Sequence, residues 1–320
     1  MRVIMGIESL PLFERLKDSK RILIAGAGGG FDVFSGLPLY FALKRLSKTV
    51  HLASLSFSNL YGVTGRALTP TMIEVTANSG GSKSYFPERL LCEWFAARGE
   101  SVSIHCFHRL GAAPLIRSYQ ALTADLKIDT VLLVDGGTDS LMRGDEAGLG
   151  TPQEDIASIA AVNELDVPTK LLACIGFGVD AYHGVCHAHF LEAVAAVAKE
   201  GGFLGAFSVL RQMEEARLYQ EAVDYVCSKM PDYPSIVCNS IVSALDGEYG
   251  DVHRTKRTSG STLWINPLMS LYWGFELGVV ARRCLYLDRI KNTETYMDLT
   301  TAIQNFRASR EYKPWDDIPV

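Results

Sequence analysis

The chain has 320 residues, 48% hydrophobic and 21% charged, an ordinary globular composition with ample material for a buried core. Its net charge is -5, its pI is about 5.8, and no block of Lys and Arg stands out, which argues against a nucleic-acid partner. No run approaches the ~20 apolar residues a bilayer-spanning helix needs, so no membrane partner is expected, and Met1–Leu16, with Glu8 and Glu14, lacks the apolar stretch of a signal peptide.

In chain order, Arg21–Ala25 is a β-rich run followed at once by glycines. The apolar positions Leu39, Ala42, Leu43 and Leu46 predict a helix over Pro38–Leu46. Strands are expected at Val50–Leu55 and Thr71–Thr76, a helix at Glu88–Arg98, a strand at Val102–Phe107 and a helix at Leu115–Leu126. Thr130–Val134 is almost wholly apolar and reads as a buried parallel strand. Thr151-Pro152-Gln153-Glu154 looks like a helix start, with Thr151 as N-cap, Pro152 at N1 and Glu154 closing a capping box. Further on come a strand at Lys170–Ile175, a helix at His189–Lys199, a strand at Phe203–Val209 and a helix at Glu214–Met230. From about Tyr233 helices are expected to dominate, with the aromatic residues Trp264, Tyr272, Trp273 and Phe275 packing them.

Strands alternating with helices predict a doubly wound, mostly parallel, Rossmann-like α/β sheet. The whole chain, 1–320, reads as one domain with a helical C-terminal elaboration over about 233–320. The seven cysteines, at 92, 106, 174, 186, 227, 238 and 284, form no Cys-x-x-Cys pair. They read as reduced core thiols, which points to a cytoplasmic protein.

The unusual residues follow strands. After the first come Gly26, Gly28, Gly29, Gly30 and Asp32; after the second, Ser54, Ser56, Ser58 and Asn59. After Val134 come Asp135, Gly136, Gly137, Thr138 and Asp139, then Asp145 and Glu146. After Ile175 come Gly176, Gly178 and Asp180, then His183, His187 and His189. In open parallel sheets ligands bind outside the carboxyl ends of the strands, so these segments are expected to share one crevice. The glycines would cradle a phosphate or other anion, with turn chemistry as the structural alternative. Asp135 and Asp139 are candidates for general acid or base work, for holding ribose hydroxyls or for binding Mg2+ or Ca2+, and Asp145 and Glu146 for ligand contact. His183 and His187, four apart, could share a helical face and ligate a metal or carry a proton.

Two familiar readings are disfavoured. Phe31 stands where a dinucleotide fingerprint wants its third glycine, and no acid lies between Asp32 and Glu74 to take the ribose hydroxyls, so this is no ordinary NAD dehydrogenase. The glycine segment has no Gly-Lys-Ser/Thr, which excludes a P-loop, and there is no Gly-x-Ser-x-Gly elbow.

Ala25 to Tyr40, Val134 to Glu146 and Gly176 to Glu192 together resemble the uncharacterised prokaryotic family catalogued as domain of unknown function 1152. The resemblance covers nearly the whole chain and implies little chemistry. A weaker one joins Gly26-Ala27-Gly28 and Ser35-Gly36-Leu37-Pro38 to the NAD-binding opening of sirtuin-type deacylases, although Leu39-Tyr40-Phe41 and the absence of paired cysteines depart from that pattern. It implies binding of an NAD-like or other nucleotide.

Three functions are therefore carried forward. The first is an enzyme that holds a nucleotide-like or phosphorylated small molecule and works by hydrolysis or group transfer, using Asp135, Asp139, His183 and His187. The second is a metal-assisted hydrolase using Asp32, Asp135, Asp139, Asp180 and the histidines. The third is a binding or assembly module without turnover. The cofactor is left open between an NAD-like nucleotide and a divalent metal, and a homo-oligomer is left open too.

Overall fold

The computed structural model describes residues 9–81 and 84–318; the first half of Met1–Leu16, the segment read for a leader, lies outside them. In chain order the strands are β1 (Arg21–Gly29), β2 (Thr49–Leu55), β3 (Ala67–Thr69), β4 (Met72–Val75), β5 (Ile104–Phe107), β6 (Thr130–Gly136), β7 (Thr169–Ile175), β8 (Phe203–Ser208), β9 (Gly250–Asp251), β10 (Trp264–Ile265) and β11 (Leu271–Glu276). The helices that matter below are α1 (Pro11–Leu16), α2 (Asp32–Ser35), α3 (Leu37–Arg45), α4 (Pro87–Ala97), α5 (Ala112–Leu126), α6 (Pro152–Asn163), α7 (His187–Lys199), α8 (Glu214–Lys229), α9 (Ile236–Leu245), α10 (Leu277–Arg283), α11 (Leu287–Ile290) and α12 (Tyr296–Ala308).

Nine strands form one sheet in the order β3-β4-β5-β2-β1-β6-β7-β11-β8. The five central strands, β5-β2-β1-β6-β7, are all parallel. They read as unbroken apolar runs because both faces are covered: every residue of β6 is buried. Alternation then divides the core. Ile22 and Ile24 of β1 face one layer, with residues of α1, α3, α4, α8 and α9; Leu23 and Ala25 face the other, with residues of α5, α6, α7, α10, α11 and α12.

The chain leaves β1 toward β2 on one side and returns through β6 on the other. The sheet therefore reverses its winding between β1 and β6, which opens a crevice at the carboxyl ends of those two strands.

Two expectations change. Helices do follow residue 233, but the same region also gives the sheet a strand. Residues Leu271–Glu276 pair antiparallel with both β7 and β8, so Tyr272, Trp273 and Phe275 lie in a strand, from which Tyr272 and Phe275 pack among the helices of the two layers. The short alternation of that run, bounded by Pro267 and an immediate helix, is a weak signal beside the longer apolar strands. At the other edge β3 and β4 form an antiparallel hairpin. Among the described residues all seven cysteines are free, five of them buried, and no helix is long and apolar enough to cross a membrane.

A carboxylate site at the strand crossover

β1 does not stop at Ala25. It runs on through the glycines to Gly29, and Asp32 opens the four-residue α2 that follows. Two amides expected to cradle an anion are already used: Gly28 N donates to Asp32 Oδ2 at 2.8 Å, and Gly30 N to the Leu55 carbonyl at 3.1 Å. The glycines matter for space instead. A Cβ on Gly28 would lie 2.6 Å from Asp32 Oδ2 and 3.0 Å from Asp155 Oδ1, so only glycine lets these two carboxylates close over the strand.

Five aspartates converge here. Asp32 follows β1; Asp135 is the last residue but one of β6; Asp139 lies in the turn after it; Asp155 is in the first turn of α6; Asp180 follows β7. Asp135, Asp139, Asp155 and Asp180 are buried and Asp32 is partly so. Four of them are pinned by a main-chain amide. Besides the Gly28 bond to Asp32, Ser140 N donates to Asp135 Oδ2 at 3.1 Å, Thr151 N to Asp139 Oδ2 at 2.7 Å, and Thr138 N to Asp180 Oδ2. Hydroxyls add to this: Ser140 Oγ donates to Asp135, Thr138 Oγ1 to Asp180, and Thr151 Oγ1 to Asp139 at 3.0 Å. The carboxylates are thus held in place by donors at their backs.

One oxygen from each of Asp32, Asp135 and Asp155 lies within 4.8 Å of the other two. Oxygens on opposite sides of a Mg2+ ion stand about 4.2 Å apart and of a Ca2+ ion about 4.8 Å, so these three fit one cation with small side-chain movements. Ser35 supports the same spot. Its hydroxyl is buried without a partner among the described residues, and a Cβ on Gly136 would touch both Ser35 Oγ, at 2.6 Å, and Asp32 Oδ1, at 2.9 Å.

The electrostatics follow from burial and crowding. Asp32 is pushed up to about 7 by burial and by the charge of Asp139. Asp135, Asp155 and Asp180 rise well above the usual carboxylate range, again through burial first and Asp139 second. Asp139 rises less, because burial is opposed by the bonds from Thr151 and by His183. Five carboxyls so placed cannot all be charged without a positive partner.

The sequence-derived candidates separate accordingly. Asp32, Asp135, Asp139 and Asp180 come together, with Gly28 and Gly136 against them. Gly26 packs on the Cβ of Asp32, Gly137 on the carboxylate of Asp180, and Thr138 orients Asp180. His183 stands at the exposed rim, within electrostatic reach of Asp139; burial of part of its ring pushes its pKa down. His187 is elsewhere. His183 ends a 3-10 turn and His187 begins α7, so the two share no helical face. The His187 ring lies between Phe177 and Trp264, each 5.4 Å away, and covers Gly178. Gly176 and Gly178 take left-handed conformations that turn the chain out of β7.

Asp145 and Glu146 are not in the crevice. Asp145 is paired with Arg143 at 2.8 Å, and Glu146 accepts from the amides of Arg143 and Gly144, so both close a loop. Ser56 accepts from Ser58 N beneath a neighbouring cavity. Gly29 and Gly30 are covered by Phe57 and Tyr85.

Asp155 is the residue that sequence reasoning missed. Helix α6 starts where expected, but Thr151 makes no cap; its amide and hydroxyl both turn to Asp139, and Glu154 bonds the Tyr296 hydroxyl at 3.2 Å instead of closing a capping box. The sequence carries only a faint mark, the uncharged run Ile156–Val162; in the structure Glu154 through Val162 are all buried, so α6 has no wet face on which an acid could be solvated.

Neither a curated protein nor a solved structure matches this chain. A family model described as protein of unknown function (DUF1152) matches residues 67–315, a span that contains Asp135, Asp139, Asp155 and Asp180 and begins after Asp32. With most of its length and four of the five clustered aspartates inside the match, the chain belongs to the DUF1152 family.

Proposed function

We propose that this chain is a divalent-cation-dependent enzyme acting on a phosphorylated, nucleotide-like small molecule by hydrolysis or group transfer. The observation that carries the reading is the meeting of Asp32, Asp135 and Asp155, from three separate elements, with one oxygen each inside 4.8 Å. Phosphate alone would be repelled by this crevice. A cation held by the carboxylates removes the repulsion and offers the phosphate oxygens a ligand, which joins the anion and metal readings of the sequence.

Roles follow from position. Asp32, Asp135 and Asp155 hold the cation. Asp180 and Asp139, fixed by Thr138 and Thr151, shape the field around it. Asp139 accepts the proton of an attacking water or alcohol, and His183 at the rim passes it to solvent. In hydrolysis the water oxygen bonds phosphorus, the ester P–O bond breaks, and the leaving oxygen departs with the electron pair.

Calorimetric titration with Mn2+ and Mg2+, paired with a panel of nucleotides and sugar phosphates assayed for released phosphate, tests this. Expected are saturable cation binding at one or two sites and cation-dependent turnover of at least one phosphate ester. A chain that binds neither ion ends the reading.

A further inference from the structure

Beside the carboxylates, at the carboxyl ends of β2 and β5, lies a cavity of about 180 Å3. Phe57, Tyr61, His108 and Arg109 are among its lining residues. Two features set it apart from an ordinary surface dent. Tyr61 is 78% exposed, more than any other large apolar side chain described, and Phe57 is 43% exposed. Exposed aromatic groups cost solubility and gain nothing from a core, so a pair of them in one hollow needs a reason. The hollow is also joined to the carboxylates by shared residues. The Phe57 ring lies directly on Gly29, where an added Cβ would come within 1.9 Å of it. The Arg109 guanidinium sits 5.3 Å from the Phe57 ring and 4.1 Å from that of Tyr296, and 3.7 Å from Glu154, the residue before Asp155.

The walls are π-faces and one cation. Tyr61 and His108 stand 4.8 Å apart, edge to face, and Phe57 and Arg109 form a second pair in the lining. Ser56, Ser58 and Asn59 also line it; Ser58 Oγ is committed to Glu88 and Ser56 Oγ accepts from Ser58 N, while the exposed Asn59, whose Oδ1 accepts from Tyr61 N, has its amide NH2 to give. Such a hollow suits a flat heteroaromatic ring, which stacks on aromatic and guanidinium planes and takes hydrogen bonds at its edge. A sugar alone would use little of it.

We infer that this cavity is the base subsite of the carboxylate site, so that the substrate is a nucleotide rather than a simple sugar phosphate. The inference rests on the proposed cation-dependent phosphate chemistry, since the ring would be anchored here while its phosphate reaches the aspartates.

Binding of ADP, ribose 5-phosphate and adenosine to the full chain, with and without Mn2+, separates the two ideas. With Mn2+, ADP should bind at least ten-fold more tightly than ribose 5-phosphate. Tyr61→Ala should weaken ADP and adenosine at least about five-fold, as loss of one stacking face does. Tyr61→Phe should restore both, and neither variant should change Mn2+ affinity. Tyr61 is exposed, so its loss should leave the fold intact. ADP and ribose 5-phosphate binding equally, or adenosine binding unaffected by Tyr61→Ala, overturns the base subsite while Mn2+ binding keeps the cation reading alive. Should Mn2+ fail to bind, adenosine alone decides: Tyr61-dependent binding supports the subsite, and none overturns it.

Discussion

A lone buried carboxyl and a group of five lie near the carboxyl ends of the parallel strands, and the two differ in kind. Glu88, in the first turn of α4, is fully buried and its pKa is raised by burial. Yet it stands alone among donors. Ser54 Oγ gives to Oε1 at 3.0 Å and Ser58 Oγ to Oε2 at 3.2 Å, from the end of β2 and the loop beyond it. That acid is complete within the protein and ties α4 to the sheet. The five aspartates at the crossover also have donors, but they have one another as well, and their mutual repulsion is what hydroxyls and amides cannot remove. Burial and a raised pKa are common to both groups, so neither marks function by itself. The excess of like charge is what sets the crossover apart and what the proposed cation would answer.

The sharpest break of that comparison is to neutralise one member of each group. Asp155→Asn should weaken Mn2+ binding at least about 100-fold, because a carboxamide is a poor ligand for a hard cation. It should also stabilise the cation-free protein by on the order of 1 kcal/mol, since a buried repulsion disappears. Glu88→Ala should do the opposite. Mn2+ affinity stays unchanged, while stability falls by about 1–3 kcal/mol as two serine hydroxyls lose their acceptor. Calorimetry and urea denaturation read both. Equal losses of Mn2+ affinity in the two variants would erase the distinction.

The next effect is on pH. Asp32 has its pKa raised from 3.8 to about 7, so between those values the folded chain keeps a proton that the unfolded chain has lost. Stability then falls as pH rises through that window, by up to about 1.4 kcal/mol per pH unit for one such group. This is the reverse of a carboxylate held in a salt bridge. On the proposed reading saturating Mn2+ would displace the proton and flatten or invert the slope. Urea denaturation from about pH 4.5 to about pH 7.5, with and without Mn2+, measures it.

How much of this was readable in the sequence differs between the two groups. The strands and the crevice were legible because fully covered parallel strands advertise themselves as apolar runs, as Thr130–Val134 does. Asp32, Asp135, Asp139 and Asp180 were legible because each follows such a run. Asp155 was hidden by a rule that is usually right: an acid in the first turn of a helix is ordinarily there for the dipole. Only the burial of α6 on every side shows that this acid is not solvated. Strand β11 was obscured in a similar way, since six residues between a turn and a helix are too few for period alone to decide. The misplaced candidates, Asp145 and Glu146, carry no sequence mark that separates loop closure from ligand contact. Their partners, Arg143 and two backbone amides, appear only once the chain is folded.

A smaller effect tests how tightly the crossover is built. Gly150 has φ +66, and a Cβ there would fall 2.2 Å from Asp139 Oδ2. Gly201 has φ +74, and nothing lies within 4 Å of its Cβ position. Both alanine variants pay the left-handed backbone cost of about 1–2 kcal/mol. Only Gly150→Ala should also displace Asp139, adding roughly 1 kcal/mol more and weakening Mn2+ binding several-fold. The difference in denaturation midpoint between the two isolates the clash from the strain.

The smallest expected effect is the most discriminating. Thr151 Oγ1 lies 3.0 Å from Asp139 Oδ2 and 3.4 Å from Asp155 Oδ2, and one hydroxyl proton serves one of them at a time. Thr151→Val keeps the shape and leaves the amide bond to Asp139 in place, so without cation the cost should be about 0.5–1.5 kcal/mol. With Mn2+ bound the carboxylates are ionised, a hydrogen bond to a charged acceptor is stronger, and the cost should grow by about 1 kcal/mol. Ser54→Ala, at Glu88, removes a hydroxyl from an acid that never meets the cation, so its cost should not change with Mn2+. If Thr151→Val also costs the same in both conditions, Asp139 is indifferent to the cation, and the crossover cluster is held together in the same way as Glu88.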